Sequence, residues 1–374
     1  MKRCILKGVE ITEQNDSKAH VIPSALGGRL KPKGILCDVA NTELGDKFDG
    51  ELVKAYHQFM VLVDGSRDKG GDLAPFKAQS ASGKPYSVTP DEVKLGAPEY
   101  IKTVLPDGKI QVTVKARTMK EARTLLGRAK SDFPNLQTDI DTLMQSARVE
   151  HVPVEALNFA MQFGPISTFP AAFVMASVYC AVNELPPHPE FVNYVDKFDV
   201  ANRSMPPDTF YFMHEDTWFS HTAEVGHSVI LFGDAKSKQA IFFMQLFNQP
   251  GIAVLLPYAG NDNVCFSYGV DVLLGQEVEV DVDQAKLAVL DWSETHKNGD
   301  EALWREVEKR STPLLAIASK RSLSSATDEI FRKHFGKNNG ELITEADVKD
   351  ASQEIAALLM RGFQPDKEDW ISDQ

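Results

Sequence analysis

The chain has 374 residues, 43% of them hydrophobic and 25% charged, with four cysteines and a formal net charge of −13. That is the composition of an ordinary globular protein with enough length for two or three domains. The acidic balance excludes a protein that coats nucleic acid over its whole surface, and four cysteines are too few for a disulfide framework. The longest apolar run, 168–182, contains Pro170 and reads as a buried helix, so no membrane association is expected. The N-terminus has basic residues but no sustained apolar stretch behind them; no leader and a cytoplasmic location are the expectations.

In chain order, residues 1–10 predict a short strand, His20-Val21-Ile22 a second extended run stopped by Pro23, and Ile35-Leu36-Cys37 a third. Between the last two lies a loop rich in glycine and cations: Gly27, Gly28, Arg29, Lys31, Lys33 and Gly34. Asn41 is read as the N-cap of a helix, because Asn accepts an orphan backbone N–H. Leu44, Phe48, Leu52, Tyr56 and Phe59 then recur at helical spacing, with Asn41, Gly45 and Asp49 as a second stripe beside them. Residues 64–98 are polar and read as a linker or long loop. A strand is predicted over 109–115, a helix over 118–129, and buried helices over 156–163 and 170–183. Apolar strands over 210–214, 228–232, 240–247 and 253–257 suggest an antiparallel sheet, with a further short strand over 278–282. From 283 onward the pattern is helical and highly charged.

The fold class expected is α+β: a small N-terminal ββα module over 1–65, a linker over 66–105, a central mixed domain with an antiparallel sheet over 106–282, and a helical C-terminal region over 283–374. Charge is uneven along the chain. Residues 1–70 carry 11 Lys or Arg and 10 Asp or Glu, so the first module is near neutral on an acidic body. Such a module can meet a phosphate backbone locally, with modest and salt-sensitive affinity. The acidic body offers a surface to a protein partner.

One constellation carries chemistry. The run Ala19-His20-Val21-Ile22-Pro23 is followed by Gly27-Gly28, then Cys37-Asp38-Val39-Ala40-Asn41, then Gly45 and Asp49. Over about residues 4–60 this resembles the HNH (ββα-metal) endonucleases, in the branch with a Cys-x-x-Cys-Asn second motif. The resemblance implies a phosphodiester hydrolase acting on DNA, less readily on RNA, with one divalent ion, Mg²⁺ or Mn²⁺. It implies His20 as general base, since a neutral imidazole suits that task near pH 7. Asn41 and Asp49 would be metal ligands, and Arg29, Lys31 and Lys33 would contact nucleic-acid phosphates. Roles in defence, restriction or mobile elements follow by analogy alone.

Two departures from the pattern bear on activity. Ala19 stands where many relatives carry an acidic metal ligand, so an impaired site is one expectation. Cys4 and Cys37 survive without their second cysteines, Lys7 and Ala40 standing in their place, so no structural zinc is expected and the two thiols should be left close together. A rival reading is therefore a degenerate HNH module that binds nucleic acid or a protein partner without cleaving. His214, His221 and His227 are spaced like no common zinc pattern and are read as strand-flanking residues.

Overall fold

The computed structural model describes residues 2–135, 139–148, 156–161, 164–212, 218–292, 301–336 and 343–362. The fold is mixed α+β with antiparallel sheets, as the sequence implies. The chain divides into two compact units, Met1–Leu314 and Leu315–Gln374.

Residues 2–37 form no strand of the expected ββα pattern. Pairing is reduced to the isolated bridges Arg3–Glu10 and Asp16–Cys37, with single bonds such as Val21 N–H to the Leu30 carbonyl. Pro23, Pro32 and four glycines between 8 and 34 leave no run long enough for a ladder. Helix α1 (Asp38–Leu44) begins earlier than expected: Cys37 is its N-cap, and Asn41 lies inside it. A π turn, Gly45–Asp49, joins α1 to α2 (Gly50–Val63). The predicted stripe is correct in kind, since Leu44, Phe48, Leu52, Tyr56 and Phe59 are all buried.

The stretch read as a linker carries regular structure. Strands β1 (Phe76–Ser80), β2 (Pro85–Val88) and β3 (Val93–Leu95) form a small antiparallel sheet. They were illegible because they are short and half polar; of their apolar residues Phe76, Ala78 and Val88 turn inward, against Val61 of α2. Beyond them come a hairpin of β4 (Glu99–Val104) and β5 (Ile110–Lys115), then α3 (Met119–Asp132) and α4 (Ile140–Gln145). Thr118 caps α3 by accepting from the Glu121 N–H, and the Glu121 carboxylate accepts in turn from the Arg117 N–H. Residues 156–163 are not helical where described: β6 (Leu157–Asn158) pairs with β1 instead, and Phe159 packs edge-on to Phe76 at 5.2 Å.

Helix α5 (Pro165–Val182) is apolar on every side and is the core helix of the first unit. By length and composition alone it could cross a membrane, but 72% of it is buried inside the protein. Helix α6 (Phe191–Lys197) follows. Then come β7 (Thr209–Phe212), β8 (Phe219–His221), β9 (Gly226–Asp234), β10 (Gln239–Leu246), β11 (Gly251–Pro257), β12 (Val264–Asp271), β13 (Gln276–Val278) and β14 (Val280–Val282). Six of these form an antiparallel sheet in the order β13-β12-β9-β10-β11-β7. It is covered on both faces. Phe210, Phe212, Ile230, Phe232, Ile241 and Phe243 pack with Trp218 and Leu287 on one side. On the other, Tyr211 and Phe242 meet Phe169 and Tyr179 of α5. Two-sided burial explains why these strands read as continuous apolar runs. The strand expected over 210–214 is found to Phe212, and 213–214, with His214, lie outside the described residues.

Helices α7 (Gln284–Val289), α8 (Glu301–Phe335) and α9 (Glu345–Gly362) make the C-terminal region helical, as expected. Within the second unit, Lys333 and His334 both pair with Glu354.

Candidate functional site

His20 sits in the loop between Ser17 and Pro23, and its neighbours Ala19, Val21 and Ile22 are buried. Those neighbours anchor the backbone while the imidazole stays 18% exposed. Its Nε2 lies 3.2 Å from Oδ2 of Asp68. The same carboxylate takes Lys31 Nζ at 2.8 Å and Arg29 Nη1 at 3.4 Å. Arg29 Nη2 donates to Ser66 Oγ at 3.0 Å, and Arg29 Nε is buried with no hydrogen-bond partner. Lys31, first, and His20 hold the Asp68 carboxyl down at about 2, so it is an anion at any working pH.

This cluster joins three of the residues singled out in the sequence, His20, Arg29 and Lys31, through one that was not. Asp68 lies 48 positions from His20 in a polar turn, and no local pattern marks it. Lys33 is exposed and joins no ion pair among the described residues.

The glycine-rich loop is held from behind by the six-stranded sheet. Tyr268 of β12 accepts at its phenolic oxygen from the Arg29 N–H at 3.0 Å and the Leu30 N–H at 2.8 Å. His227 of β9 reaches the Leu26 carbonyl from Nε2 at 2.7 Å, while its Nδ1 accepts from the Phe247 N–H at 3.1 Å. Ser66 N–H donates to the Val272 carbonyl at 2.8 Å. The two glycines serve this packing. A Cβ on Gly28 would stand 1.9 Å from the Ile22 carbonyl oxygen, and one on Gly27, at φ +91°, would stand 2.9 Å from the Ser66 carbonyl oxygen. Both positions require glycine because the loop passes against its own chain there.

Asn41 makes no side-chain hydrogen bond among the described residues, and its backbone N–H bonds the Cys37 carbonyl. Asp49 ends the π turn. Burial alone pushes its carboxyl up to about 7, and no cation compensates it. Its Oδ2 lies 3.8 Å from where a Cβ on Gly45 would stand, so the carboxylate leans back along the helix over a glycine.

Among the described residues no three of His, Cys, Asp and Glu converge as metal ligands. Ala19 is 2% exposed, so its side chain points into the core and an acid placed there would be buried. The donor set therefore does not fit a closed protein cage. It fits a hard cation that keeps most of its waters or takes substrate oxygens, as Mg²⁺ does with one or two protein oxygens. Cys4 and Cys37 are both buried and close enough for each to shift the other's ionisation, so the two thiols lie near each other as the sequence suggested.

Compared with known proteins, residues 4–57 match the family model of the HNH endonucleases. The N-terminal segment is thus of the nuclease type, a class that in general takes a nucleic-acid substrate and a divalent metal. The match ends before Asp68 and before the sheet that supports the loop. No curated protein and no solved structure matches the chain.

Proposed function

We propose that this protein is an endonuclease that hydrolyses phosphodiester bonds in DNA, with His20 as general base. The observation that carries this reading is the hydrogen bond between His20 Nε2 and the permanently anionic Asp68. A carboxylate accepting the Nε2–H fixes the imidazole tautomer, which leaves the Nδ1 lone pair free. The imidazole is partly exposed, so a water can reach that lone pair. In the step, Nδ1 takes a proton from water, the water oxygen bonds to phosphorus, one bridging P–O bond breaks, and the departing oxygen is protonated from solvent. The imidazolium formed is stabilised by Asp68.

Arg29 and Lys31 are the phosphate contacts in this reading, with Lys33 further out on the same loop. Both side chains flank the partly exposed imidazole and keep 22% and 41% of their own surface open, which supports contact with a phosphate at that point. Asn41 and Asp49 are the residues that would hold Mg²⁺ or Mn²⁺; the uncompensated Asp49 carboxyl is the group whose charge such an ion would stabilise. When bound, the ion supplies neutralisation of charge on the phosphate.

A second reading has its own observation. Ala19 faces the core, and the donor set is thin, as in a module that binds nucleic acid without cutting it. The experiment that separates the two incubates purified protein with supercoiled plasmid, single-stranded DNA and RNA, each with Mg²⁺, Mn²⁺ or EDTA, alongside His20→Ala. Metal-dependent cutting that His20→Ala abolishes establishes the nuclease. Binding without cutting of any substrate by folded protein establishes the other reading.

A further inference from the structure

Residues 99–132 differ in charge from the body they belong to. They hold eight Lys or Arg against four Asp or Glu, in a chain whose net charge is −13. The structure explains how those charges are displayed. In the β4–β5 hairpin the register pairs Tyr100 with Val114, Lys102 with Val112 and Val104 with Ile110. Helix α3 packs on the Tyr100 end of that face, where Tyr100 Oη donates to Asp132 at 2.9 Å, Lys102 pairs with Asp132 at 2.8 Å and Arg128 lies over the Tyr100 ring at 4.9 Å, while Val104 and Ile110 near the tip are exposed.

Side chains alternate across a strand, so the opposite face carries Glu99 with Lys115, Ile101 with Thr113 and, nearest the tip, Thr103 with Gln111. At its far end Glu99 pairs with Lys84 at 2.8 Å and Lys115 at 3.8 Å, while the Thr103–Gln111 end is open. Thr103 and Gln111 are exposed, and Ile101 is 43% exposed. The open end of the face, bearing hydroxyls, an amide and one branched alkyl group, contributes nothing to a core. Lys109 lies at the exposed tip, while Lys120, Arg128 and Lys130 on α3 are exposed and make no ion pair among the described residues.

We infer that this hairpin–helix unit grips double-stranded DNA, the ribbon entering the major groove by its Thr103–Gln111 face and the flanking cations meeting the phosphates. Two antiparallel strands of six residues make a ribbon roughly 20 Å long with strands about 4.8 Å apart. The major groove of B-form DNA, about 12 Å wide, admits such a ribbon; the deep, narrow major groove of A-form RNA does not. Threonine and glutamine offer donors and acceptors to base edges, and an alkyl side chain meets the thymine methyl. The charge sign is the second argument. An acidic chain approaching a polyanion needs a local cationic face, and the exposed Lys120, Arg128 and Lys130 of α3 with Lys109 at the tip supply one here. The inference rests on the reading of the protein as DNA-acting and adds the element that holds the substrate.

The test uses the full chain carrying His20→Ala, so that no cleavage intervenes, with a 30-base-pair DNA duplex followed by fluorescence anisotropy against salt. The triple variant Lys109→Ala, Lys120→Ala, Lys130→Ala should bind about tenfold more weakly, with a salt slope smaller by about two to three, one phosphate contact per lysine. Thr103→Ala with Gln111→Ala should weaken binding while leaving that slope unchanged, and an RNA duplex of equal length should bind more weakly than DNA. All five positions are exposed, and an unchanged melting temperature confirms that each variant is folded. Wild-type affinity and slope in the triple variant would overturn the proposal, as would equal binding of the two duplexes. Cleavage is scored separately on the protein with His20 intact. Binding through this unit without any cutting leaves the inference standing and removes the nuclease reading; cutting with the patch silent does the reverse.

Discussion

His227 and Leu26 lie 201 positions apart in the chain, yet His227 Nε2 donates to the Leu26 carbonyl oxygen at 2.7 Å. Because Nδ1 is already accepting from the Phe247 N–H, the ring is held in one neutral tautomer with its only proton on Nε2. The bond ties the central sheet to the residue before Gly27 and Gly28, and so to the loop that bears Arg29 and Lys31.

That tie carries a pH dependence. Burial first, with a smaller repulsion from His221, lowers the His227 pKa from its ordinary 6.5 to about 4. Between those values the unfolded chain binds a proton that the folded chain refuses, so stability falls as pH drops. The contribution is fully present above pH 6.5 and is lost as pH falls through about 4, at about 1.4 kcal/mol per pH unit. Denaturant unfolding of the wild type and His227→Gln at several pH values should differ by one proton in slope over that window. Parallel curves would show that His227 does not titrate on unfolding.

Asp68→Asn should leave the fold in place and lower kcat about 100-fold or more, because an amide in place of the carboxylate neither fixes the His20 tautomer nor stabilises its protonated form. His20→Ala should be at least as damaging. A kcat unchanged in Asp68→Asn would remove Asp68 from the chemistry and leave it a partner of Lys31 only.

Tyr268→Phe deletes the acceptor shared by the Arg29 and Leu30 N–H groups. Leaving two part-buried donors without an acceptor should cost about 1–3 kcal/mol in denaturant unfolding. Tyr268 sits behind the loop, so the loosened phosphate-contact segment should raise KM more than it lowers kcat. A variant whose kinetics match wild type, despite that stability loss, would mean that the loop holds its shape without the phenol.

Gly28→Ala should destabilise by about 3 kcal/mol or more, since the added methyl meets the Ile22 carbonyl and relief requires the backbone to move. Gly8→Ala is the control: φ there is also positive, at +65°, but no atom lies within 4 Å, so only the cost of the backbone conformation, about 1 kcal/mol, is expected.

For the metal, Mg²⁺ or Mn²⁺ at pH 8 should raise the melting temperature of the wild type and leave Asp49→Asn unmoved, because an ion that binds only the folded state stabilises it. An equal shift in both proteins would place the ion elsewhere.

Part of this was legible in the sequence and part was not, for physical reasons. Phe48, Leu52, Tyr56 and Phe59 announced their helix by spacing alone. The π turn was also encoded, though unread: each step of four overshoots a 3.6-residue turn, and three steps would swing the stripe by about 120° around a regular helix. A wider turn at Gly45–Asp49 takes up part of that swing. The strands of the large sheet were read from runs such as Val229-Ile230-Leu231-Phe232, whose burial on both faces leaves no polar position. Strands β1 to β3 escaped because half their residues face solvent and each is five residues or shorter. His20 was found because its neighbours form a motif. Asp68 and Tyr268 were missed because each meets the loop only through the fold, 37 or more positions away from the residues it contacts.

The support of the glycine loop by Tyr268, His227 and Val272 bears on how this nuclease segment could be inherited or transplanted. A fragment cut after its last matched residue would keep His20, Asn41 and Asp49 yet lose the carboxylate that aims the imidazole and every acceptor and donor that the sheet provides. It is not a cassette to be moved between hosts on its own. Grafted onto another protein, it would need a new scaffold to supply a phenol, an imidazole and an acid at the same points in space.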